Sequence, residues 1–143
     1  METVLVKYFD KEIDKIQTFD YGDWTDLRAA ETIELKQGEY KLIPLGIGMK
    51  MPEGMEAHIA PRSSTFKNFG IIQTNSVGIV DNAYCGETDQ WMMPVYAVRD
   101  TVIHKNDRIC QFRLFNKQPK FHITEVEHLN EESRGGFGST GVN

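Results

Sequence analysis

The sequence predicts an all-β domain, built as a barrel or a sandwich. Its 143 residues are the length of one ordinary domain. The 12 glycines and 5 prolines are evenly scattered, which leaves few windows for a long helix. Short alternating or β-branched runs lie between these breakers, as is typical of strands. Many short strands, with no internal repeat and no linker, favour a single barrel or sandwich.

Nine windows have the composition of strands, because apolar and β-branched residues alternate or cluster in them. In chain order they are Thr3–Tyr8, Thr32–Leu35, Tyr40–Pro44, Gly46–Met51, Met55–Pro61, Val77–Val80, Gln90–Val98, Arg108–Phe115 and Phe121–Glu127. The alternation within Arg108–Leu114 places Ile109 on the same face as Gln111 and Arg113. One short helix is expected at Ser63–Asn68, since it follows a proline, ends before Gly70 and starts with serines that can cap it.

Charge and cysteine content exclude several classes of protein. Lys and Arg number 16 against 21 Asp and Glu, so the net charge of −5 disfavours a duplex-DNA or membrane-surface binder. Cys85 and Cys110 are too few for a disulfide scaffold and lack the spacing of a zinc site. No signal-peptide core follows the N-terminus, and no apolar run is long enough to cross a membrane. We therefore expect a soluble cytoplasmic protein without a nucleic-acid or membrane partner.

The last residues differ in composition from the rest of the chain. Residues 1–129 are predicted to form the domain, and residues 130–143 a loose C-terminal arm that is polar and rich in glycine. Arg134 offers a guanidinium for phosphate, and Phe137 offers a ring for stacking. The backbone around Gly138, Ser139 and Thr140 can present N–H groups to an anion. A solvated tail is the commoner explanation for such an end, and a lid over a nucleotide is the functional alternative.

Other candidate residues each have a functional and a structural explanation. Arg62, Ser63 and Ser64 could bind an anion at a helix start, or simply cap that helix. Asp81 follows an apolar strand, where it could act as a general base or could be the first residue of a turn. Tyr84 could be a packing residue, or its ring could support the sugar of a bound nucleotide. Gln111 could contact a ligand, or it could be an ordinary surface residue. Asp26 could serve a metal site or a turn. No one of these motifs is decisive alone.

Taken together, five segments resemble, in order, the five motifs of the homotrimeric dUTPase (deoxyuridine triphosphate nucleotidohydrolase) family. They are Gly22–Ala30, Pro61–Gly70, Asn75–Gly86, Asp107–Gln111 and Arg134–Gly141. The third and fifth are long and specific. The sequence departs from the pattern at Trp24-Thr25, where Gly-Tyr is usual, at Asn106, where Gly is usual, and in a shortened fifth motif.

The resemblance implies a jelly-roll-like β-barrel that hydrolyses dUTP to dUMP and pyrophosphate with magnesium. Such an activity keeps uracil out of DNA and supplies dUMP for thymidylate synthesis. The resemblance also implies a homotrimer with shared active sites, in which each arm is swapped onto a neighbouring subunit.

The resemblance further implies a role for each matched residue. Asp81 would activate the water that attacks the α-phosphorus, and Tyr84 would lie against the deoxyribose. Asp26 would bind magnesium through the metal's water shell. The uracil would be read by Asn75 and by the main chain around Ile79–Asp81 and the hairpin that follows. Gly78 and Val80 belong to the same substrate-binding set. The phosphates would be held by Arg62, Ser63, Ser64 and Gln111. The arm would stack Phe137 on uracil and close Arg134, Gly138, Ser139 and Thr140 over the phosphates.

Two other functions are compatible with parts of this pattern. A dCTP deaminase shares the fold and the phosphate-binding residues, but it uses a glutamate near the base, whereas the aligned acid here is Asp81. A non-catalytic barrel that binds a nucleotide for regulation is the second alternative, and the intact Asp26 and Asp81 argue against it.

Overall fold

The chain folds into antiparallel β-sheets around one core. A computed structural model describes residues 1–18, 21–139 and 141–142, and these contain eleven strands and one helix. The strands are β1 (Leu5–Tyr8), β2 (Thr25–Arg28), β3 (Ile33–Leu35), β4 (Tyr40–Pro44), β5 (Ile47–Lys50), β6 (Met55–Pro61), β7 (Ile71–Gln73), β8 (Gly78–Val80), β9 (Met92–Ala97), β10 (Thr101–Ile103) and β11 (Arg108–Asn116). The helix, α1 (Thr65–Phe69), lies between β6 and β7.

Two larger sheets and two strand pairs make up the fold. One sheet has the strand order β2-β11-β6-β8 and the other the order β4-β9-β7. The pairs are β1-β5 and β10-β3, and all strand pairings are antiparallel. In the larger sheet β11 lies between β2 and β6, so that Gln111 is opposite Asp26 on one side and Ala60 on the other.

The inward-facing residues of the strands form one continuous hydrophobic core. Ile43, Met93 and Val95 are fully buried at the centre of the β4-β9-β7 sheet. The ring of Trp91 packs edge-on against Phe112, with 5.5 Å between ring centroids. Full burial of a large apolar side chain stabilises a fold by about 1.5–3 kcal/mol, so this core supplies the main stabilising term.

Eight of the nine predicted strands coincide with observed strands, and the bounds of Tyr40–Pro44 and Met55–Pro61 are the same. The structure adds β2, β7 and β10, which the sequence did not predict. These strands have only three or four residues each, although β3 and β8, which are as short, were predicted.

Two local predictions about strands are wrong. Phe121–Glu127 is not a strand, because no partner strand among the described residues completes a ladder of backbone hydrogen bonds with it. Ile109 lies in the core rather than beside Gln111, since the register of β11 shifts between Arg108 and Cys110 and both Ile109 and Cys110 become buried.

The helix differs slightly from its prediction at Ser63–Asn68. It begins at Thr65, and Ser64 precedes it without a capping hydrogen bond from its side chain. It is five residues long, and none of the described helices has the length and apolarity to span a membrane.

Two glycines provide a test of how tightly the barrel is packed. Gly46 and Gly54 both have a left-handed backbone, with φ of +73° and +80°. A Cβ at position 46 would lie 2.8 Å from Ile13 Cδ1 and 3.0 Å from Ala30 Cβ, whereas one at Gly54 would meet nothing within 4 Å. We expect Gly54→Ala to cost about 1–2 kcal/mol of unfolding free energy for the backbone alone.

Gly46→Ala should cost about 1–3 kcal/mol more, because the added methyl also overpacks the core. Urea unfolding of both variants at one protein concentration measures the difference. Equal losses of unfolding free energy in the two variants would mean that the segment around Ile13 moves aside without destabilising the fold.

Candidate functional site

Six of the predicted site residues line one pocket beside strand β8 and the turn that follows it, which we call the hairpin pocket. The pocket has a volume of about 220 Å³. The predicted residues in its wall are Asn75, Gly78, Ile79, Val80, Asp81 and Tyr84. Ile59, Gln90, Trp91 and Met92 complete the lining. Among the described residues, the structure therefore brings together those of the third motif that were expected to surround a base and a sugar.

The turn after β8, which forms part of this pocket, is fixed by hydrogen bonds from two side chains and one backbone N–H. The Tyr84 hydroxyl donates a hydrogen bond to the carbonyl of Gln90 at 2.8 Å, which holds the ring across the turn. The amide of Asn82 donates to the carbonyls of Pro52 and Met55, each at 2.9 Å, and ties the turn to the start of β6. The backbone N–H of Tyr84 donates to the carbonyl of Asp81 at 3.0 Å, so Asp81 opens a turn as well as facing the pocket.

The buried side-chain amide of Gln73 lies next to Gly78 in the wall of the pocket. Gln73 is 4% exposed and donates from Nε2 to the carbonyl of Ile59 at 2.9 Å. A Cβ at Gly78 would lie 3.3 Å from Ile59 Cβ and 3.5 Å from Asn75 Nδ2. Glycine at this position thus lets the Asn75 amide approach the strand closely. The sequence analysis did not identify Gln73 as a supporting residue, because a single polar residue in a three-residue strand gives no recognisable sequence pattern.

A second group of predicted residues forms an ion cluster at the ends of β2, β6 and β11. Asp26 Oδ1 accepts a hydrogen bond from Arg62 Nε at 3.0 Å, and Asp26 Oδ2 accepts one from Arg108 Nη1 at 3.1 Å. Arg62 also donates from Nη1 to the carbonyl of Arg108 at 3.3 Å. One carboxylate between two guanidiniums leaves a net positive charge, which suits an anionic ligand.

Neighbouring polar groups fix the position of Arg62. The backbone N–H of Arg62 donates to Thr65 Oγ1 at 2.8 Å, and the Thr65 hydroxyl donates to the carbonyl of Ile109 at 2.9 Å. Gln111 donates from Nε2 to the carbonyl of Pro61 at 3.0 Å. The predicted Ser63 and Ser64 follow Arg62 in the same turn, with Ser63 exposed and Ser64 half-buried.

Cys110, within the segment that resembles the fourth motif, takes no chemical part in this cluster. Its side chain is fully buried. Burial, and secondarily the charge of Asp26, raises the pKa of the Cys110 thiol, which therefore stays protonated. Asn106, where glycine is usual, has a φ of 79° and keeps the left-handed turn that a glycine would form.

The arm residues lie away from both groups. The backbone N–H of Gly136 donates to Ser139 Oγ at 2.7 Å, and the N–H of Ser139 donates to the carbonyl of Gly136 at 2.9 Å. Phe137 is fully exposed at the tip of this turn. Within the described residues, no hydrogen bond or ion pair links residues 134–139 to the barrel. Thr140 lies outside the described residues.

A single chain therefore holds three separate pieces of the expected site. The lining of the hairpin pocket includes neither Asp26 nor Arg62 nor Gln111, and the described arm residues reach neither group. Arg108 belongs to the ion cluster although it was not expected in the site. Its position directly after Asp107 in the fourth motif is the signal that could have identified it.

Magnesium can be accommodated here only in a limited way. In the described part of the chain, no three His, Cys, Asp or Glu side chains are grouped to hold a metal. Magnesium often binds one or two carboxylates plus substrate phosphates and keeps several waters. Both carboxylate oxygens of Asp26 are bonded to arginines, so any magnesium contact of this residue would run through the metal's water shell beside bound phosphates.

Comparisons with known proteins agree with one another. The family model for dUTPase matches residues 25–141. The chain is 54% identical over 139 residues to the SPbeta prophage-derived deoxyuridine 5'-triphosphate nucleotidohydrolase of Bacillus subtilis (strain 168), covering 97% of this chain and 98% of that one.

Two solved structures show the same fold. The dUTPase of Staphylococcus bacteriophage 80alpha with dUpNHpp has a TM-score of 0.79 at 20% identity, covering 98% of this chain and 99% of that one. The dUTPase of phage phi11 of S. aureus, in a mutant form that shows the coordination of a structural Mg(II) ion, has a TM-score of 0.76 at 14% identity over 90% of this chain and 99% of that one. The expected jelly-roll-like β-barrel is thereby confirmed.

Arg108 provides a test of the ion cluster. Arg108→Gln leaves Asp26 paired with Arg62 alone, so the cluster loses its net positive charge. We expect the affinity for inorganic pyrophosphate to fall about three- to tenfold, which corresponds to roughly 1 kcal/mol. Isothermal titration calorimetry measures the change.

Arg113→Gln is the matched control for this test. Arg113 also lies on β11 and pairs with an aspartate, Asp23, at 3.5 Å, outside the cluster. The control substitution removes the same charge from the chain, so it should leave pyrophosphate affinity unchanged. Equal losses in the two variants would show a general charge effect rather than a built anion site.

Proposed function

The chain belongs to the dUTPase family, and from this membership we infer that it hydrolyses dUTP to dUMP and pyrophosphate. The reaction removes dUTP from the pool for DNA synthesis and yields dUMP, the precursor of thymidylate. The observation that carries this inference is the hairpin pocket, where Asn75, Asp81 and Tyr84 occur together as the family's third motif requires. A cytoplasmic location remains a prediction from the sequence.

We propose that the hairpin pocket binds the nucleoside. The backbone of Gly78, Ile79 and Val80 presents fixed donors and acceptors to the polar edge of uracil, and Asn75 adds its amide. The hydrogen bond from Tyr84 to Gln90 fixes the tyrosine ring, so that it would lie against the deoxyribose of the bound nucleoside. A fixed ring at that position leaves no room for a 2′-hydroxyl, which would exclude ribonucleotides.

We assign the chemistry of the reaction to Asp81. This residue is exposed and lines the same pocket as Tyr84, and in this proposal it faces the sugar and the α-phosphate of the bound nucleotide. A carboxylate there accepts a proton from the attacking water, while the pyrophosphate departs on the opposite side. Positioning of the water by a general base accounts for about 10²–10⁴-fold of the rate.

The ion cluster supplies the phosphate contacts in this proposal. Arg62, with Ser63, Ser64 and Gln111 beside it, offers donors to the phosphate oxygens. A bound magnesium ion would neutralise phosphate charge, and Asp26 would hold one of its waters. The arm would add Arg134, Gly138, Ser139 and Thr140 to the phosphates and stack Phe137 on the base.

The separation of these pieces supports a homotrimer with shared sites. The hairpin pocket contains an acid but no Lys or Arg in its described lining, whereas a nucleoside triphosphate needs several cations. The ion cluster and the arm can meet that pocket when they come from neighbouring copies. We therefore propose that each active site combines residues of different subunits.

The direct test compares dUTP with dCTP as substrates. The protein should release pyrophosphate from dUTP and no ammonia from dCTP, since Asp81 stands where the deaminases use a glutamate near the base. Asp81→Asn should keep its affinity for dUpNHpp and lose about 10²–10⁴-fold in kcat, because only the proton acceptor is removed. Coupled pyrophosphate and ammonia assays give both readouts.

Three outcomes would contradict this assignment. Ammonia release from dCTP would point to a deaminase. Unchanged turnover by Asp81→Asn would place the base elsewhere. Tight binding of dUTP without any turnover would indicate a regulatory barrel.

The arm can be tested by removing it. A chain that stops after Ser133 should fold as the full chain does, because residues 134–139 make no described contact with the barrel. It should hydrolyse dUTP at least about a hundredfold more slowly. Stacking on an aromatic ring is worth about 1–3 kcal/mol, and the phosphate contacts are lost as well. Phe137→Ala should have a milder effect.

Mixing variants tests whether the arm is exchanged. Chains truncated after Ser133 and Asp81→Asn chains, unfolded and refolded together, should recover activity that neither has alone. Mixed trimers would then unite an intact Asp81 with an intact arm. No recovery would count against exchange between subunits, and full activity in the truncated chain would remove the lid from the mechanism.

A further inference from the structure

The side-chain amide of Gln73 has one polar atom in use and one without a partner. Gln73 lies on β7 with its side chain in the core. Its Nε2 donates to the carbonyl of Ile59 on β6 at 2.9 Å. A carbonyl oxygen accepts only from the NH2 side of an amide, so this bond fixes the orientation of the Gln73 amide. Its Oε1, which is buried as well, has no hydrogen-bond partner among the described residues.

A buried acceptor of this kind normally has a partner. Removal of a polar atom from water without a new hydrogen bond costs free energy, and most buried side-chain polar atoms in proteins are bonded. An apolar side chain would avoid this cost, as it does at Ile71, the other inward residue of β7. The amide at position 73 therefore indicates a group that gives Oε1 a hydrogen bond when the protein functions.

The side-chain amide of Asn75 lies close to that of Gln73. A Cβ on Gly78 would be 3.5 Å from Asn75 Nδ2 and 3.7 Å from Gln73 Nε2, so the two amides flank the same glycine. Asn75 and Gly78 line the hairpin pocket, whereas the described lining does not include Gln73. Gln73 thus adjoins a pocket residue from within the core and does not itself face a ligand.

The amide of Asn75 can suit either of two bases. Uracil presents a donor at N3–H beside an acceptor at O4, and cytosine presents an acceptor at N3 beside a donor at its 4-amino group. An asparagine amide has one donor side and one acceptor side. Its terminal torsion is broad and roughly two-fold, so a half-turn exchanges these sides. Asn75 therefore distinguishes uracil from cytosine only if a neighbour holds its amide in one orientation.

We propose that Gln73 strengthens the preference for uracil over cytosine by orienting Asn75. This inference rests on the proposed function, in which Asn75 contacts the base. Gln73 Oε1 can only accept a hydrogen bond, so it pairs with the NH2 side of Asn75 and not with Asn75 Oδ1. The bond forms as Asn75 engages the base, directly or through one bridging water, and it gives the unpartnered Oε1 a donor. Gln73 is then a positioning residue for the base.

The test measures how strongly the protein prefers dUpNHpp over dCpNHpp, the corresponding cytosine nucleotide. Isothermal titration calorimetry of the full chain gives both dissociation constants, and their ratio is the base preference. Gln73→Met keeps the approximate size of the side chain and removes both polar atoms. We expect the base preference to fall about three- to tenfold, as for the loss of one hydrogen bond. An unchanged base preference in this variant would overturn the proposal.

Gln73→Glu separates the orienting role from support of the strand. A carboxyl group retains an acceptor oxygen in either protonation state, so this variant should keep the base preference of the unaltered protein. A fall as large as that expected for Gln73→Met would contradict the orienting role. This variant also decides the question if Gln73→Met does not fold.

A double-mutant cycle tests whether the effect passes through Asn75. Asn75→Ala removes the amide that Gln73 is proposed to orient. In that background Gln73→Met should change the base preference no further. A second fall of the same size would show that Gln73 acts by another route, and the proposal would be wrong.

Ile71→Val is the matched control for loss of stability. Ile71 is buried on the same strand and carries no polar side-chain group. This variant should unfold at a lower urea concentration and keep the base preference. A fall in base preference equal to that of Gln73→Met would mean that any loosening of β7 has this effect, and it would count against a specific role of the amide.

Failure of this inference and failure of the proposed function are distinguishable, because binding of the two analogues does not require turnover. Absence of dUTP hydrolysis in the unaltered protein would contradict the proposed function. An unchanged base preference in Gln73→Met, in a protein that hydrolyses dUTP, would contradict the orienting role alone.

Discussion

The pairing of β11 with β2 on one side and β6 on the other is the constraint on which the ion cluster depends. The register of these strands sets Gln111 between Asp26 and Ala60, and it brings Arg108 and Arg62 to the same end of the sheet. The bulge after Arg108 lets Ile109 and Cys110 both enter the core while Arg108 remains at the surface, paired with Asp26. A shift of one residue in this register would move Gln111 to the core side and separate the carboxylate from its guanidiniums.

The hairpin pocket depends on a different and more local constraint. Residues 75–84 are continuous in the chain, and short hydrogen bonds from Asn82 and Tyr84 anchor the turn to the barrel. The acid of the proposed reaction and the platform for the sugar are therefore positioned by one rigid turn. Because the cations lie on other strands, the proposed contacts to the nucleoside and to the phosphates are separate within one chain. In the proposed trimer, catalysis would depend on correct association of the copies.

Two unpartnered features of the single chain agree with that conclusion. The outward side of the β4-β9-β7 sheet exposes apolar side chains such as Leu42 and Ile72, where an antiparallel sheet would ordinarily present polar ones. The segment Phe121–Glu127 has the alternation of a strand but no strand partner among the described residues, and Phe121 and Ile123 are largely exposed. Both patterns are consistent with a sequence whose apolar surfaces are satisfied in a larger assembly, and they occur in different parts of the chain.

The sequence by itself determined the all-β class, most strand positions and the composition of the hairpin pocket. Strand periodicity and turn residues are local properties, so residues such as Asn75, Asp81 and Tyr84 could be assigned together from one continuous segment. The matched order of five motifs extended this assignment to the family. The strands β2, β7 and β10 were not predicted, because the pairing of such short segments is decided by their partner strands β11, β9 and β3, which are distant in the chain.

Only the tertiary structure decided how distant residues meet. Asp26 and Arg62 are 36 residues apart in the chain, and Asp26 and Arg108 are 82 apart, so their contacts follow from strand register rather than from any local pattern. Ile109 is buried because β11 has a bulge between Arg108 and Cys110. Whether Phe121–Glu127 pairs as a strand depends on whether another strand leaves an unpaired edge beside it. Hydrogen-bond pairing between strands is selected by the packing of the whole core, and for that reason a sequence read residue by residue does not specify it.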